Sequence, residues 1–165
     1  MKVPYIDLPK TARVWIYQNT SVIDPAVQDA IESKLDQFSS KWSAHNHPLA
    51  SHCEIRHNRF LILIVDEAQN MASGCSIDAS VHFIRQLESA YSLDLFNRMV
   101  FSYQKDGEVI TVPKIEFARQ YASGMIDDET LVFDNLIKTK EDLENRWLKP
   151  LGESWHRRFV QTLVS

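Results

Sequence analysis

Glycine is scarce in this sequence, and its scarcity excludes one large class of nucleotide-binding sites. Only four of the 165 residues are glycine, at Gly74, Gly107, Gly124 and Gly152. A P-loop needs the pattern G-x-x-x-x-G-K-[ST], because its backbone N–H groups cradle the phosphates while the lysine neutralises them. No two of the four glycines are close enough to form that loop. The chain therefore cannot bind a nucleotide through a P-loop.

Long apolar runs are also missing. The longest uninterrupted run is residues 60–65, six residues, whereas a helix needs about 20 apolar residues to cross a bilayer. Residues 1–10 contain Asp7 and two prolines where a secretory signal needs a continuous apolar stretch. We therefore expect a cytoplasmic protein without membrane insertion.

Cysteine is rare, and the net charge is weakly acidic. Cys53 and Cys75 are the two cysteines, and in a reducing compartment we expect both to be free thiols. A net charge of −4 gives no general attraction for phosphate backbones, so we expect no nucleic-acid partner. The strongest basic cluster is Trp155-His156-Arg157-Arg158, a pattern typical of a solvated helix face.

Apolar periodicity in the first half of the chain predicts both strands and a helix. Residues 12–18 alternate as a strand does. Asp24 is suited to cap a helix that begins at Pro25, where the missing N–H costs nothing. The run 60–65 is apolar at every position, which is typical of a central strand covered on both faces.

The second half continues the mixture of helices and strands. The spacing of Ile77, Val81, Ile84, Leu87 and Tyr91 predicts a helix with one buried stripe and Ser76 as its N-cap. Asp106-Gly107 is a strong hairpin signal between two strands. Thr139 is suited to cap a later helix.

These elements predict one α+β domain over residues 1–165. Their order is compatible with a ferredoxin-like split βαβ core, over about residues 11–123, that carries an extra hairpin strand. A C-terminal helical addition follows over about residues 124–165, with Trp155, Phe159 and Leu163 at helical spacing. We expect this addition to cover the sheet face that carries Trp15.

Five segments resemble a family of uncharacterised bacterial proteins of this length, and they are spread over most of the chain. Members of that family are often labelled "ABC transporter ATPase", but the label requires the P-loop that the glycines exclude. The resemblance therefore implies a bacterial origin and no particular activity. The segments are residues 14–18 (VWIYQ), 58–60 (NRF), 73–84 (SGCSIDASVHFI), 130–135 (TLVFDN) and 154–156 (SWH).

Three side chains that can carry chemistry lie at the start of the predicted second helix, at Cys75, Asp78 and His82. At 100° per residue they lie with Arg85 on a polar face, away from the apolar stripe. A cysteine at a helix N-terminus is activated because the unpaired N–H groups favour the thiolate. Asp78 precedes His82 by four residues and can orient its ring. This pattern predicts a thiol-dependent enzyme or redox sensor with Cys75 as nucleophile.

Distance opposes a direct thiol–imidazole pair. Seven residues of helix separate Cys75 from His82, which is about 10.5 Å along the axis and too far for a hydrogen bond. Either Cys75 folds back from the preceding loop, or the base is another histidine such as His52 or His57. The simpler interpretation is that Ser76 and Asp78 cap the helix and Cys75 is a small buried thiol.

The leading hypothesis is a non-enzymatic binding module for a protein or small ligand. It would bind through its sheet or through the rim between Gly74 and Arg85, which includes Ser76. No catalytic pattern in the chain is self-sufficient, and no cofactor motif is present. The loop histidines His45 and His47, with His52 and His57 on opposite faces of one strand, do not predict a metal site.

Overall fold

The structure is a computed structural model that describes residues 1–161, and it confirms the α+β class. Within that range no helix combines the length and apolar character that crossing a bilayer requires. The helices are α1 (Pro25–Lys41), α2 (Gly74–Tyr91), α3 (Lys114–Ala122), α4 (Lys140–Asn145) and α5 (Arg157–Gln161). The strands are β1 (Arg13–Gln18), β2 (Ser43–Ala44), β3 (His47–Pro48), β4 (Ala50–Arg56), β5 (Phe60–Asp66), β6 (Val100–Lys105), β7 (Glu108–Pro113), β8 (Leu131–Phe133) and β9 (Leu148–Pro150).

Two antiparallel sheets form the centre of the molecule. The first has the strand order β1-β5-β4, and the second has the order β7-β6-β8-β9. A separate small hairpin joins β2 to β3. The sheets therefore draw on different parts of the chain, with β8 and β9 completing a sheet that begins with the β6–β7 hairpin.

Helices α1 and α2 cover one face of the first sheet. The Asp24 carboxylate accepts a hydrogen bond from the Ala26 N–H at 2.9 Å, and Pro25 occupies the first turn of α1, as the sequence predicts. Ile31 and Leu35 of α1 are fully buried against this sheet. The apolar stripe of α1 is therefore a core stripe.

The start of α2 differs from the sequence prediction. Ser73, and not Ser76, is the N-cap, because Ser73 is extended and its hydroxyl accepts a hydrogen bond from the Ser76 N–H at 3.1 Å. Ser76 and Ser80 lie on the buried face of α2, whereas Ile77 and Val81 are only half-buried. Their hydroxyls donate to helix carbonyls, which removes the cost of burying them.

Strand β5 is buried on both faces, as predicted. Leu61, Leu63 and Val65 pack towards α1 and α2, whereas Phe60 and Ile64 pack towards the second sheet and the C-terminal region. Period-two alternation makes these two sets face opposite directions. The result is four layers, in which helices α1 and α2, the first sheet, the second sheet, and helices α3 and α5 follow one another.

The ferredoxin-like arrangement is not confirmed, although the order β1-β5-β4 agrees with three of its four strands. The fourth strand would lie beside β1, but β6 pairs with β7 and β8 in the second sheet. Phe101 and Tyr103 hold it there, because they pack with Phe117 in a separate core. The free edge of β1 is met instead by residues 137–139, where the Val14 N–H donates to the Lys138 carbonyl at 2.9 Å.

The C-terminal region is less helical than the sequence predicts, and it covers the other face of the first sheet. It supplies β8 and β9 as well as α4 and α5, and residues 162–165, with Leu163, lie outside the described range. Trp147 packs against Phe60 at a ring distance of 5.0 Å. Trp15 faces the helical layer beside Trp42, so the prediction that this region covers Trp15 is wrong.

In three hairpins the turn contains two consecutive residues with positive φ, and in the β4–β5 hairpin Arg59 follows them as a third residue before strand pairing resumes. The pairs are His45-Asn46 between β2 and β3, His57-Asn58 between β4 and β5, and Asp106-Gly107 between β6 and β7. Turns of this kind match the right-handed twist of the flanking strands, and their second position favours glycine. Gly107 satisfies that preference, whereas Asn58 occupies the same position at φ 51°.

Exchanging the residues at these two equivalent positions tests the turn assignment. Asn58→Gly should raise the free energy of unfolding, and Gly107→Asn should lower it, each by about 0.5 kcal/mol, because only glycine adopts positive φ without steric cost. Urea unfolding of both variants and of the parent chain measures the effect. A change of the same sign in both variants would contradict the assignment.

Candidate functional site

The residues predicted from sequence lie on the outward face of α2. Cys75, Asp78, His82 and Arg85 are all exposed, as the polar-face prediction requires. Cys75 is exposed in the first turn, so the simpler interpretation of it as a buried thiol is wrong. In residues 1–161 no hydrogen bond joins the thiol, carboxylate and imidazole, and His82 Nε2 lies 3.2 Å from the amide nitrogen of Gln86.

Two of the three residues of the predicted binding rim are exposed, and the third is buried. Gly74 is exposed, but Ser76 is buried, and its carbonyl accepts a hydrogen bond from Trp42 Nε1 at 2.9 Å. Ser76 is therefore part of the core and cannot contact a ligand. The guanidinium of Arg85 lies 4.1 Å above the ring of Phe96. Phe96 also lines a neighbouring cavity.

The histidines between His45 and His57 do not come together in one site with other described residues. His45 and His47 are exposed at the β2–β3 hairpin, and His52 Nδ1 lies 3.2 Å from the Val3 carbonyl. Over residues 1–161, no three His, Cys, Asp or Glu side chains are grouped so that they could hold a metal ion.

A cavity of about 670 Å³ lies at one end of the seam between the two sheets. Five segments of the chain line it: the end of β1, the α2–β6 connection with the start of β6, the first residue of α3, the end of β8 with the residues after it, and the turn into α5. These segments are far apart in sequence and meet only because the sheets pack face to face. The cavity is the candidate site.

Six phenylalanine, tyrosine and tryptophan residues are among the described residues that line the cavity. Tyr17 lies against Phe96 with ring centroids 5.4 Å apart, and Phe101 lies 5.4 Å from Trp155 and 5.2 Å from Phe159. The rings come from β1, the α2–β6 connection, β6 and the C-terminal region. A planar apolar group would meet aromatic surface on several sides.

Three uncharged polar side chains converge on the cavity from the seam. The Ser102 hydroxyl donates to Gln18 Oε1 at 2.6 Å, and the Asn135 amide donates to the same oxygen at 3.2 Å. Trp147 Nε1 in turn donates to Asn135 Oδ1 at 2.9 Å. These bonds hold Gln18, Ser102 and Asn135 in fixed positions at the cavity.

An ion pair between buried Asp134 and half-buried Lys149 holds one of the residues that line the cavity, Trp155. Lys149 Nζ lies 2.7 Å from Asp134 Oδ2, and Trp155 Nε1 donates to Asp134 Oδ1 at 2.8 Å. Burial pushes the pKa of Asp134 upward, but the bonds from Lys149, Trp155 and the Leu136 N–H outweigh it, so the pKa lies below its ordinary value. The carboxylate is therefore ionised at neutral pH and fixes the indole of Trp155.

His156 lines the cavity and is uncharged at neutral pH. It is 1% exposed, stacks on Trp155 at a ring distance of 3.7 Å, and has Nδ1 2.7 Å from the Ser154 hydroxyl. Burial lowers its pKa to about 4, although the nearby Asp134 carboxylate opposes that shift. The imidazole therefore adds no charge to the cavity.

The charged groups that line the cavity are all cationic. They are Arg98, Lys114 and Arg158, and among the described residues no aspartate or glutamate lines it. Lys114 Nζ lies 4.3 Å above the ring of Phe159. Among the described residues, neither Arg98 nor Lys114 has a carboxylate within 4.0 Å. The cavity is thus a cationic recess in a chain of net charge −4.

Another cation is buried outside the cavity, where the β4–β5 turn meets β7. Arg59 is 7% exposed, and its side chain makes one long hydrogen bond, from Nη2 to the Val109 carbonyl at 3.4 Å. Its Nε atom has no partner within the described residues. Burial lowers the pKa of the Arg59 guanidinium, but the group remains charged at neutral pH and adds to the positive charge near the seam.

Sequence reasoning missed this cavity, although it noticed some of its residues. Trp155-His156-Arg157-Arg158 was the strongest basic cluster, but its interpretation as a solvated face is wrong for Trp155 and His156, which are half-buried and buried. Asn135 and residues 154–156 belong to the segments that resemble the bacterial family. A basic cluster interrupted by a tryptophan and a histidine was the available signal.

Comparisons with protein-family models, with curated proteins and with solved structures find no match to this chain.

The buried imidazole predicts a specific loss of stability in mild acid. Because the folded pKa of His156 is depressed to about 4 from 6.5, its contribution is complete above the unfolded pKa and is lost as pH falls towards the folded value. Between pH 7 and 5 it should remove about 2 kcal/mol from the free energy of unfolding. Chemical unfolding of the parent chain and of His156→Gln across this range measures it.

The variant should show a clearly flatter dependence on pH, whatever its absolute stability. His57→Gln is the control. Partial desolvation and the nearby Arg56 also lower the pKa of His57, but this side chain is largely exposed, so its variant should stay close to the slope of the parent chain. Equal slopes in the parent chain and His156→Gln would show that His156 is not held in its neutral form.

Proposed function

We propose that the protein is a non-enzymatic binding module that holds a small planar ligand in the cavity between its two sheets. The observation that carries this proposal is a cavity of about 670 Å³ with aromatic walls and three converging polar side chains. Small-molecule sites typically enclose about 300–1,000 Å³ and combine apolar walls with a few fixed polar groups. We place this activity in the bacterial cytoplasm.

The cavity is a cleft that is partly open to solvent, because exposed residues such as Arg98 and Leu136 line it together with buried ones. At its base Ser102 and Gln18 are 1% and 8% exposed and are bonded to each other, so their positions are fixed. A fixed concave surface favours a small ligand over a flat protein interface.

The neutral aromatic dye N-phenyl-1-naphthylamine tests the proposal, because its fluorescence rises in apolar surroundings. It should bind the folded chain saturably with one molecule per chain. Phe96→Ala removes one wall of the cavity and should weaken binding roughly tenfold, the loss expected from an aromatic contact and its buried area. Fluorescence titration measures both affinities.

Phe83→Ala is the matched control. Phe83 is also half-buried and stacks on Phe38 at 4.3 Å, but it does not line the cavity. Its dye affinity should equal that of the parent chain after folding has been checked by circular dichroism. Absence of one-to-one binding, or equal weakening in both variants, would refute the proposed function.

A thiol-dependent function is a second candidate, and the exposure of Cys75 in the first turn of α2 favours it. Asp78 and His82 are exposed on the next turns of the same face. The other thiol offers no such access, because Cys53 is 5% exposed and burial raises its pKa to about 12. Cys53 is therefore an internal control for the reactivity of Cys75.

Alkylation with iodoacetamide decides whether Cys75 is activated. In the folded chain Cys75 should be the modified cysteine and Cys53 should be spared, as read by peptide mass spectrometry, because only a solvent-accessible thiolate reacts. The thiol-dependent function further predicts rapid modification at pH 6. Modification of Cys75 no faster than that of free cysteine at this pH would remove the second candidate.

A further inference from the structure

We infer that the ligand of the cavity is an organic anion, with an aromatic body between the rings and a carboxylate or phosphate head at Arg98 and Lys114. This inference rests on the proposed function and adds the chemical class of the ligand. Its basis is the sign of the charges at the cavity, which is independent of the cavity's size and aromatic walls.

The charge distribution is the opposite of what the composition leads one to expect. The chain has 22 acidic residues and 18 lysines and arginines. Even so, all three charged side chains at the cavity are cations, and none of the described acidic residues lines it. The nearest acidic group to the aromatic walls, Asp134, is already bonded to Lys149 and Trp155. An anion entering the cavity would therefore meet positive charge, with no competing carboxylate from the described lining residues.

The fold does not use Arg98 and Lys114 for ion pairs. Arg98 is exposed in the α2–β6 connection, and Lys114 is half-buried at the start of α3. Within residues 1–161 neither has a carboxylate within 4.0 Å, whereas Lys140, Lys149 and Arg56 each have one. The two cations are thus available to a ligand, unlike the cations that stabilise the surrounding structure.

The chemistry of the head group follows from these donors. A guanidinium offers two parallel N–H groups that match the oxygens of a carboxylate or a phosphate, and a lysine adds a point charge. His156 is uncharged and stacked on Trp155, so it adds to the aromatic lining and not to the positive charge. The cavity therefore has cationic side chains beside aromatic rings, with Lys114 Nζ 4.3 Å above the ring of Phe159, and this combination fits an aromatic acid or an aryl phosphate.

Two dyes that differ by one sulfonate group test this inference. 8-Anilinonaphthalene-1-sulfonate is the anionic counterpart of N-phenyl-1-naphthylamine, and at low salt it should bind about tenfold more tightly, the gain expected from two partly exposed charge contacts. This preference should shrink as salt is added, because ions screen exposed charges. Equal affinities at low salt would overturn the inference, while binding of the neutral dye would leave the proposed function intact. Failure of both dyes would instead refute the proposed function.

Charge-removing variants locate the head group. In the double variant Arg98→Gln with Lys114→Gln, the affinity ratio of the anionic to the neutral dye should fall from about tenfold to about one. The double variant Lys34→Gln with Lys41→Gln removes the same charge from two exposed positions on α1 that do not line the cavity, and it should keep the parent ratio. An unchanged ratio in the variant that lacks Arg98 and Lys114 would overturn the assignment of these two cations.

Displacement of the anionic dye distinguishes the two kinds of head. 2-Naphthoate carries a carboxylate, 2-naphthyl phosphate carries a phosphate, and 2-naphthol is their neutral control. Stronger displacement by either anion than by 2-naphthol supports the inference, and the stronger of the two identifies the head. Displacement by both anions no better than by 2-naphthol would overturn it.

Discussion

The burial of both faces of strand β5 is the constraint on which the rest of this architecture depends. All six residues from Phe60 to Val65 are 0% exposed, and at about 25 cal/mol per Å² of apolar surface such a strand is stable only if two layers cover it. Helices α1 and α2 supply one layer. The chain after α2 contributes to the other layer with Phe133, Trp147 and the strands around them.

The cavity lies where the contact between the two sheets changes in character. Near the end of β1 the seam between the sheets changes from apolar contacts to the linked polar groups of Gln18, Ser102 and Asn135. A buried polar group costs about 1–3 kcal/mol if it is left without a partner, so these side chains bond to one another at a fixed spacing. The aromatic rings lie around this polar group, and the space between the rings and the polar side chains is the cavity.

Local features of the fold could be predicted from sequence, whereas the pairing of distant segments could not. Asp24-Pro25, the run 60–65 and Asp106-Gly107 each act through a few neighbouring residues, and each forms the predicted element. Strand parity placed Trp15 opposite Val14 but could not say which layer would cover either face. The cavity is harder still to predict, because its five segments extend from β1 to α5 and carry no common spacing. The N-cap of α2 is Ser73 and not the predicted Ser76, because Ser73 has the extended backbone and its hydroxyl accepts a hydrogen bond from the Ser76 N–H.

The cations at the cavity agree with the proposed anionic ligand. In residues 1–161 neither Arg98 nor Lys114 forms an ion pair, so neither stabilises the fold in that way. An acidic chain repels anions at long range, but screening limits that repulsion to about 8 Å at physiological salt. Within that distance the local charge acts on an approaching ligand, and the charged residues among the described lining are cations. With His156 neutral, this positive charge comes from Arg98, Lys114 and Arg158, beside rings that under the proposed function would contact the body of the ligand.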